Sequence, residues 1–214
     1  DTIVAKYSYL ADGTKLSAVN ADDCGFAYRG SFTYRADAGG DRVFESTPFG
    51  GGRIVGTVDA ETEVRYFLTD HLGSVRVVAT DQNNVLERND YYPFGKRWDS
   101  ASLPISDNRD RFNGKEDQAF AGLPFSDYGA RMYDRERGRW LSQDPKSEDY
   151  FSSTQYGFCG NNPIRYIDPS GMAVHKTDSV QVIDIDPITV TTYRNNPLSN
   201  AVLLFMLSLI HISE

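Results

Sequence analysis

The sequence predicts an all-β fold: an antiparallel sheet of short strands followed by a loop-rich C-terminal part. Three observations predict it. Aromatic residues are abundant, with 13 Tyr, 12 Phe and 2 Trp, and such side chains favour pleated surfaces. The 18 Gly supply the turns that short strands need. Strand-like segments recur roughly every ten residues, and nothing before residue 100 sustains a helical period.

Taken in order, residues 7–10 lead through Asp12-Gly13 into residues 15–19, and an Asp-Gly between two alternating segments is a strong hairpin signal. Gly50-Gly51-Gly52-Arg53 reads as a turn or bulge, because the Lys-Ser/Thr that completes a phosphate loop does not follow. Residues 64–68 turn through Asp70-His71-Leu72-Gly73-Ser74 into residues 75–80. A second turn at 81–84 opens a third strand, 85–92, which Pro93-Phe94-Gly95 ends. Residues 99–111 are polar and read as a surface loop or boundary. The strand pattern then returns at 128–133, and a turn at 134–138 leads to Arg139-Trp140-Leu141-Ser142.

After Met172 the character changes. Residues 173–192 are β-branched and acidic. Residues 201–210 are ten apolar positions, too short for a membrane span. The closing residues 207–214 read as translated sequencing-adapter sequence, and the opening Asp1-Thr2-Ile3-Val4 as the middle of a longer chain.

The 30 Asp and Glu outnumber the 22 Lys and Arg, for a formal charge of -8. Duplex nucleic acid needs clustered cations, and here basic residues alternate with acids, as in Asp134-Arg135-Glu136-Arg137. The two cysteines, Cys24 and Cys159, are too few for a disulfide framework and too isolated for a zinc site. They are expected as two buried free thiols, with a single long-range disulfide as the alternative, and no metal or cofactor is expected.

Several motif blocks follow one another in order along the chain. They begin with Tyr66-Phe67-Leu68-Thr69-Asp70-His71-Leu72-Gly73-Ser74-Val75-Arg76 and Asp90-Tyr91-Tyr92-Pro93-Phe94-Gly95. Arg111-Phe112-Asn113-Gly114-Lys115-Glu116, Tyr128-Gly129-Ala130-Arg131-Met132-Tyr133-Asp134 and Gly138-Arg139-Trp140-Leu141-Ser142-Gln143-Asp144-Pro145 follow. The series closes on Asn161-Asn162-Pro163-Ile164-Arg165-Tyr166-Ile167-Asp168-Pro169-Ser170-Gly171-Met172.

In this order the blocks resemble the Rhs/YD-repeat proteins of the polymorphic toxins, and the resemblance implies YD-type repeat strands over 1–63, an RHS repeat-associated core over 64–172 and a variable tail over 173–214. It also implies a β-cage around a C-terminal effector, with the core as a plug that cuts its own chain. Carried over by position, the catalytic pair is Asp144 and Asp168 and the cut falls between Met172 and Ala173. Met172 departs from the Leu more usual there, and Met is similarly apolar and adaptable. The implied partners are the chain's own effector segment in cis, a cognate immunity protein and secretion machinery. The implied location is secreted or cell surface.

The chemistry asked of such a pair is general. Two carboxylates sharing one proton can act as base toward water and acid toward the leaving nitrogen. Against this, Asp-Pro and Asp-Pro-Ser-Gly are ordinary turn signals. Arg131, Arg139 and Arg165 are each able to steady a carboxylate, and Arg165, three positions before Asp168, is the favoured neighbour of the pair. His71 beside Asp70 invites a serine-hydrolase reading that a hairpin turn explains better. The competing reading of the whole chain is a non-catalytic adhesive or carbohydrate-binding surface module, its aromatics serving as shell packing or sugar platform. A third reading, residues 173–214 as a toxin in their own right, finds no catalytic constellation there.

Overall fold

Each strand of the first ninety residues pairs with its neighbour in sequence. In the computed structural model, which describes residues 4–57, 61–98, 106–149 and 154–177, nine strands form one antiparallel meander. These are β1 (Ala5–Tyr9), β2 (Lys15–Asn20), β3 (Gly25–Arg29), β4 (Phe32–Ala36) and β5 (Arg42–Phe49), then β6 (Gly52–Gly56), β7 (Thr62–Thr69), β8 (Val75–Thr80) and β9 (Val85–Arg88). The described residues fall in one unit, Asp1–Ser179; the remainder, Val180–Glu214, lies outside them, as do the predicted features at 201–210 and 207–214.

The predicted turns hold. Asp12 accepts the Thr14 N–H at 2.9 Å, and Asp70 accepts those of Leu72 and Ser74 at 3.0 and 2.9 Å, closing tight loops with a side-chain oxygen. At the glycine run the reason for glycine is contact: a Cβ on Gly52 would lie 1.9 Å from the Arg65 carbonyl oxygen across the β6–β7 ladder. The meander crosses residues 63 and 64 without a break.

One face of the sheet is covered by residues 106–127, and charge fastens the two together. Arg109 pairs with Glu45 at 2.7 Å and with Glu116, Arg53 with Asp110 at 2.7 Å, and Arg111 with Glu87 at 3.0 Å. Lys15 reaches both Glu116 and Asp127. This overturns part of the surface-loop expectation for 99–111. Residues 99–105 lie outside the described residues, whereas Asn108, Arg109 and Arg111 are buried: Asn108 donates to the Asp110 carbonyl at 2.5 Å, and Glu45 and Glu87, far off in sequence, neutralise the two arginines.

Beyond the meander lies a four-stranded antiparallel sheet, β10 (Glu116–Asp117), β11 (Phe125–Asp127), β12 (Met132–Asp134) and β13 (Arg139–Trp140), and a two-stranded one, β14 (Tyr166–Ile167) with β15 (His175–Lys176). The core of this part is aromatic: Phe112, Tyr128, Tyr133, Trp140 and Phe158 pack together with Cys159. Tyr133 and Phe158 stack with centroids 4.0 Å apart.

Two strand expectations are shortened. The strand from Val85 stops at Arg88, after which Tyr91 makes only a single bridge to Arg97. Residues 128–131 form a tight turn in place of a strand, Tyr128 N–H donating to the Arg131 carbonyl at 3.1 Å. Both cysteines are free; Cys159 is buried, and Cys24 is only half-buried.

Candidate functional site

Asp144 and Asp168 each open an Asp-Pro turn, and each divides its carboxylate between two tasks. Asp144 Oδ1 accepts the Lys146 N–H at 2.8 Å, and its carbonyl accepts that of Ser147 at 3.0 Å. Asp168 Oδ1 accepts the N–H groups of Met172 and Ala173, both at 3.1 Å. The second oxygens meet at one nitrogen. Arg131 Nη2 lies 2.9 Å from Asp144 Oδ2 and 3.2 Å from Asp168 Oδ2, so the two oxygens are separated by no more than the sum of those lengths.

Arg131 is fixed on every side. Its Nε donates to the Gly171 carbonyl at 2.5 Å, its Nη1 to that of Gln155 at 3.3 Å, and its guanidinium lies 4.1 Å from the Trp140 ring centroid. The side chains of Arg131, Asp168 and Asp144 are 2, 0 and 14% exposed. One buried and one partly buried carboxylate therefore face one buried cation, in a site whose polar groups are held by named partners.

The 168–172 turn nests against the 128–131 turn. Ala130 N–H donates to the Ser170 carbonyl at 3.2 Å, and Lys115 Nζ to that of Pro169 at 2.5 Å. Burial pulls the Lys115 ammonium below the usual lysine range, although Asp127, Asp168 and Asp110 oppose it. Gly171 has φ of +71°, and a Cβ there would lie 3.1 Å from Arg131 N and 3.2 Å from Tyr128 Cβ. Only glycine satisfies both the left-handed backbone and the close approach.

A cleft of about 610 Å³ opens beside the pair, lined in part by Asp144, Ser147, Phe158, Cys159, Tyr166 and Val174. Asp144 and Val174, the residue after Ala173, thus share one cleft. Burial pushes the Cys159 thiol up to about 12, with Asp168 adding to the effect and Arg131 opposing it.

Asp144, Asp168, Met172 and Ala173 are thus brought together. Arg165 is not among them: its side chain is exposed, and its backbone carbonyl binds Thr177. Arg131 occupies the position expected of Arg165, since the fold places it across the pair while a three-residue spacing leads out of the turn. Arg139 is exposed at the rim of the cleft. His71 Nε2 lies 3.1 Å from the Ile164 carbonyl oxygen, tying the Asp70–Ser74 turn to the C-terminal part. Lys115 is the residue that sequence reasoning missed; its only signal is membership of the Arg111–Glu116 block. Among the described residues no cluster of His, Cys, Asp and Glu is arranged to hold a metal ion, and no helix is long and apolar enough to cross a membrane.

No protein-family model matches the chain. Among curated proteins it is 33% identical over 117 residues to toxin subunit YenC1 of Yersinia entomophaga, covering 53% of this chain and 12% of that protein. It is 38% identical over 105 residues to salivary gland surface protein 1 of Aedes aegypti, covering 49% of this chain and 3% of that one. The chain thus spans a small fraction of the length of the relatives it matches. Among solved structures, TcdB2-TccC3 without its hypervariable C-terminal region superposes with a TM-score of 0.65 at 23% identity, over 78% of this chain and 9% of that one. The partial relatives and the all-β fold shared with that structure agree with the resemblance of the ordered motifs to the Rhs/YD-repeat proteins.

Proposed function

We propose that the chain is the core of an Rhs-type polymorphic toxin that forms part of a β-shell around a downstream effector and cuts itself between Met172 and Ala173. In this reading residues 1–63 are repeat strands, 64–172 the core with its cutting motif, and 173–214 the start of the variable segment. The whole protein is a secreted or surface-borne toxin component, with its effector as a partner in cis and an immunity protein and secretion machinery as partners in trans. The relative named as a toxin subunit and the shell-like fold support that setting.

The observation that carries the cleavage reading is the hydrogen bond from Ala173 N–H to Asp168 Oδ1 at 3.1 Å. That nitrogen is the leaving group of the bond to be cut. In the proposed step Asp168, beside it, enters protonated, gives its proton to that nitrogen as the C–N bond of the tetrahedral intermediate breaks, and is left ionised. Asp144, at the mouth of the cleft, is the base that takes a proton from water. Arg131 holds both carboxylates on one nitrogen and pins the carbonyl of Gly171, next to the bond to be cut. The groups lie within one chain and need no diffusional encounter, so proximity supplies a large share of the rate.

A second reading has one observation in its favour. Each aspartate caps its own turn with Oδ1, the role of an Asp-Pro motif that only shapes the backbone. Mass spectrometry of the full chain beside Asp144→Asn and Asp168→Asn separates the two. Cleavage after Met172 in the parent and in neither variant establishes the pair; a folded parent that stays whole makes the turns structural and the chain an adhesive or carbohydrate-binding module.

A further inference from the structure

We infer that the cut chain stays together at the cut: residues 173–177 remain docked on the core as a strand, with the new α-amino group of Ala173 ion-paired to Asp168. This rests on the proposed cleavage and concerns the chain once cut.

The bond between Met172 and Ala173 lies inside a hairpin whose arms are β14 and β15. Ile167 pairs with His175 and Tyr166 with Lys176. Thr177 extends the ladder, its N–H and Oγ1 donating to the Arg165 carbonyl at 3.0 and 2.9 Å. Hydrolysis opens the loop of this hairpin and leaves its ladder intact. The upstream arm is held independently through Arg131 to Gly171, Ala130 to Ser170 and Lys115 to Pro169, so the surface that β15 pairs with keeps its shape.

The chemistry of the cut adds a contact. Water adds to the Met172 carbonyl carbon, the C–N bond breaks, Met172 gains a carboxylate and the Ala173 nitrogen becomes an amine. An α-amino group has an ordinary pKa of about 7.7–8.0, so it is an ammonium at neutral pH. The nitrogen that donated an amide hydrogen bond to Asp168 thereby becomes a charged donor at the same place, and such bonds are about twice as strong as neutral ones.

Charge does not oppose retention. Cleavage adds one charge of each sign, so no net charge builds up in the buried site. A two-residue ladder is weak by itself, which makes the free amine the decisive element of the clamp. The clamp therefore recognises a chain that begins with a free amine and continues as an extended strand.

The experiment uses the full chain after it has cut itself, followed by size-exclusion chromatography and native mass spectrometry at neutral pH. The two pieces are expected to travel together, and Thr177→Pro, which removes both donors to Arg165, to separate them faster. A synthetic peptide of residues 173–177 with a free amine should displace the downstream piece, and the N-acetylated peptide should need at least about tenfold more. Pieces that separate on the column, equal potency of the two peptides, or retention that neither the peptide nor Thr177→Pro disturbs would each overturn the clamp while leaving autoproteolysis standing. A chain that never cuts overturns the cleavage reading, and the clamp with it.

Discussion

Asp168 Oδ1 lies 3.1 Å from the backbone nitrogen of Ala173, so a buried carboxylate touches the amide at which we propose the chain is cut. The other oxygen of the same group meets Arg131 at 3.2 Å. Shaping a turn and holding the cation are thus done by different atoms of one side chain, and neither role competes with the other. Under the proposed function, the apparent choice between turn signal and catalytic pair becomes a division of labour between Oδ1 and Oδ2.

Arg131 neutralises two carboxylates in a site with little solvent. Arg131→Met keeps the volume and removes the charge, leaving both aspartates without their cation. The expected loss is about 3–5 kcal/mol, together with loss of cleavage. Arg131→Lys retains a charge without the planar fork, and is expected to recover part of the stability and little of the cutting. Urea unfolding beside a time course of chain length reads both.

Gly171→Ala tests the turn independently of any ionisable group. The left-handed backbone and the contact with Arg131 N and Tyr128 together predict a loss of about 1–2 kcal/mol, with slower cleavage as Arg131 and Asp168 move apart. A thermal melt shows the first effect and a gel the second. An unchanged melt would mean that the turn relaxes freely.

The charged seam between the meander and residues 106–127 predicts sensitivity to acid. Burial raises the pKa of Glu87 and Glu116, but Arg111 and Ser106 in one case, and Arg109, Lys15 and Tyr28 in the other, outweigh it and hold both below the usual glutamate value of 4.5. Stability from these groups is complete above that value and is lost as pH falls through their lowered pKa values. Burial shifts Asp110 the opposite way, which offsets a part. Unfolding followed between pH 6 and pH 2 should therefore show a fall beginning below about pH 4.5, and one that Arg111→Met makes shallower.

Cys159 predicts the behaviour in base. Its thiol is pushed from 9.0 up to about 12 by burial, so the folded state favours the neutral form. The stability it lends is present below about pH 9 and lost as pH rises toward 12. Cys159→Ala should flatten that decline. In the native chain, alkylation near pH 8 should mark Cys24 first, read by peptide mass mapping.

The parts of the fold that were legible in sequence are those whose cause is local. Asp12-Gly13 and the Asp70–Ser74 turn close on themselves with side-chain oxygens, so four or five residues contain the whole explanation. The alternation at 128–133 misled, because Gly129 and Ala130 turn the chain where a strand pattern continues. Arg109 and Arg111 misled in the opposite sense: a polar stretch reads as surface unless its partners, here Glu45 and Glu87, can be seen. The aspartate pair comes from ordered motifs, and Arg131 is one of three arginines named as able to steady it, but nearness in sequence favours Arg165. Arg131 stands 37 residues from Asp168, a separation at which periodicity and spacing carry no information.

The meander also says something about how such a chain can be lengthened. Every strand from β1 to β9 hydrogen-bonds only to its immediate predecessor and successor, so no pairing has to be re-threaded when material is inserted. Duplicating or deleting one hairpin, two strands at a time, preserves the direction of every other strand and the side to which its residues point. A sheet built this way can lengthen by whole hairpins ahead of β1 while the charged seam from Lys15, Glu45, Arg53 and Glu87 to residues 106–127 stays as it is, so the number of strands is free to vary where the chain's later part is not.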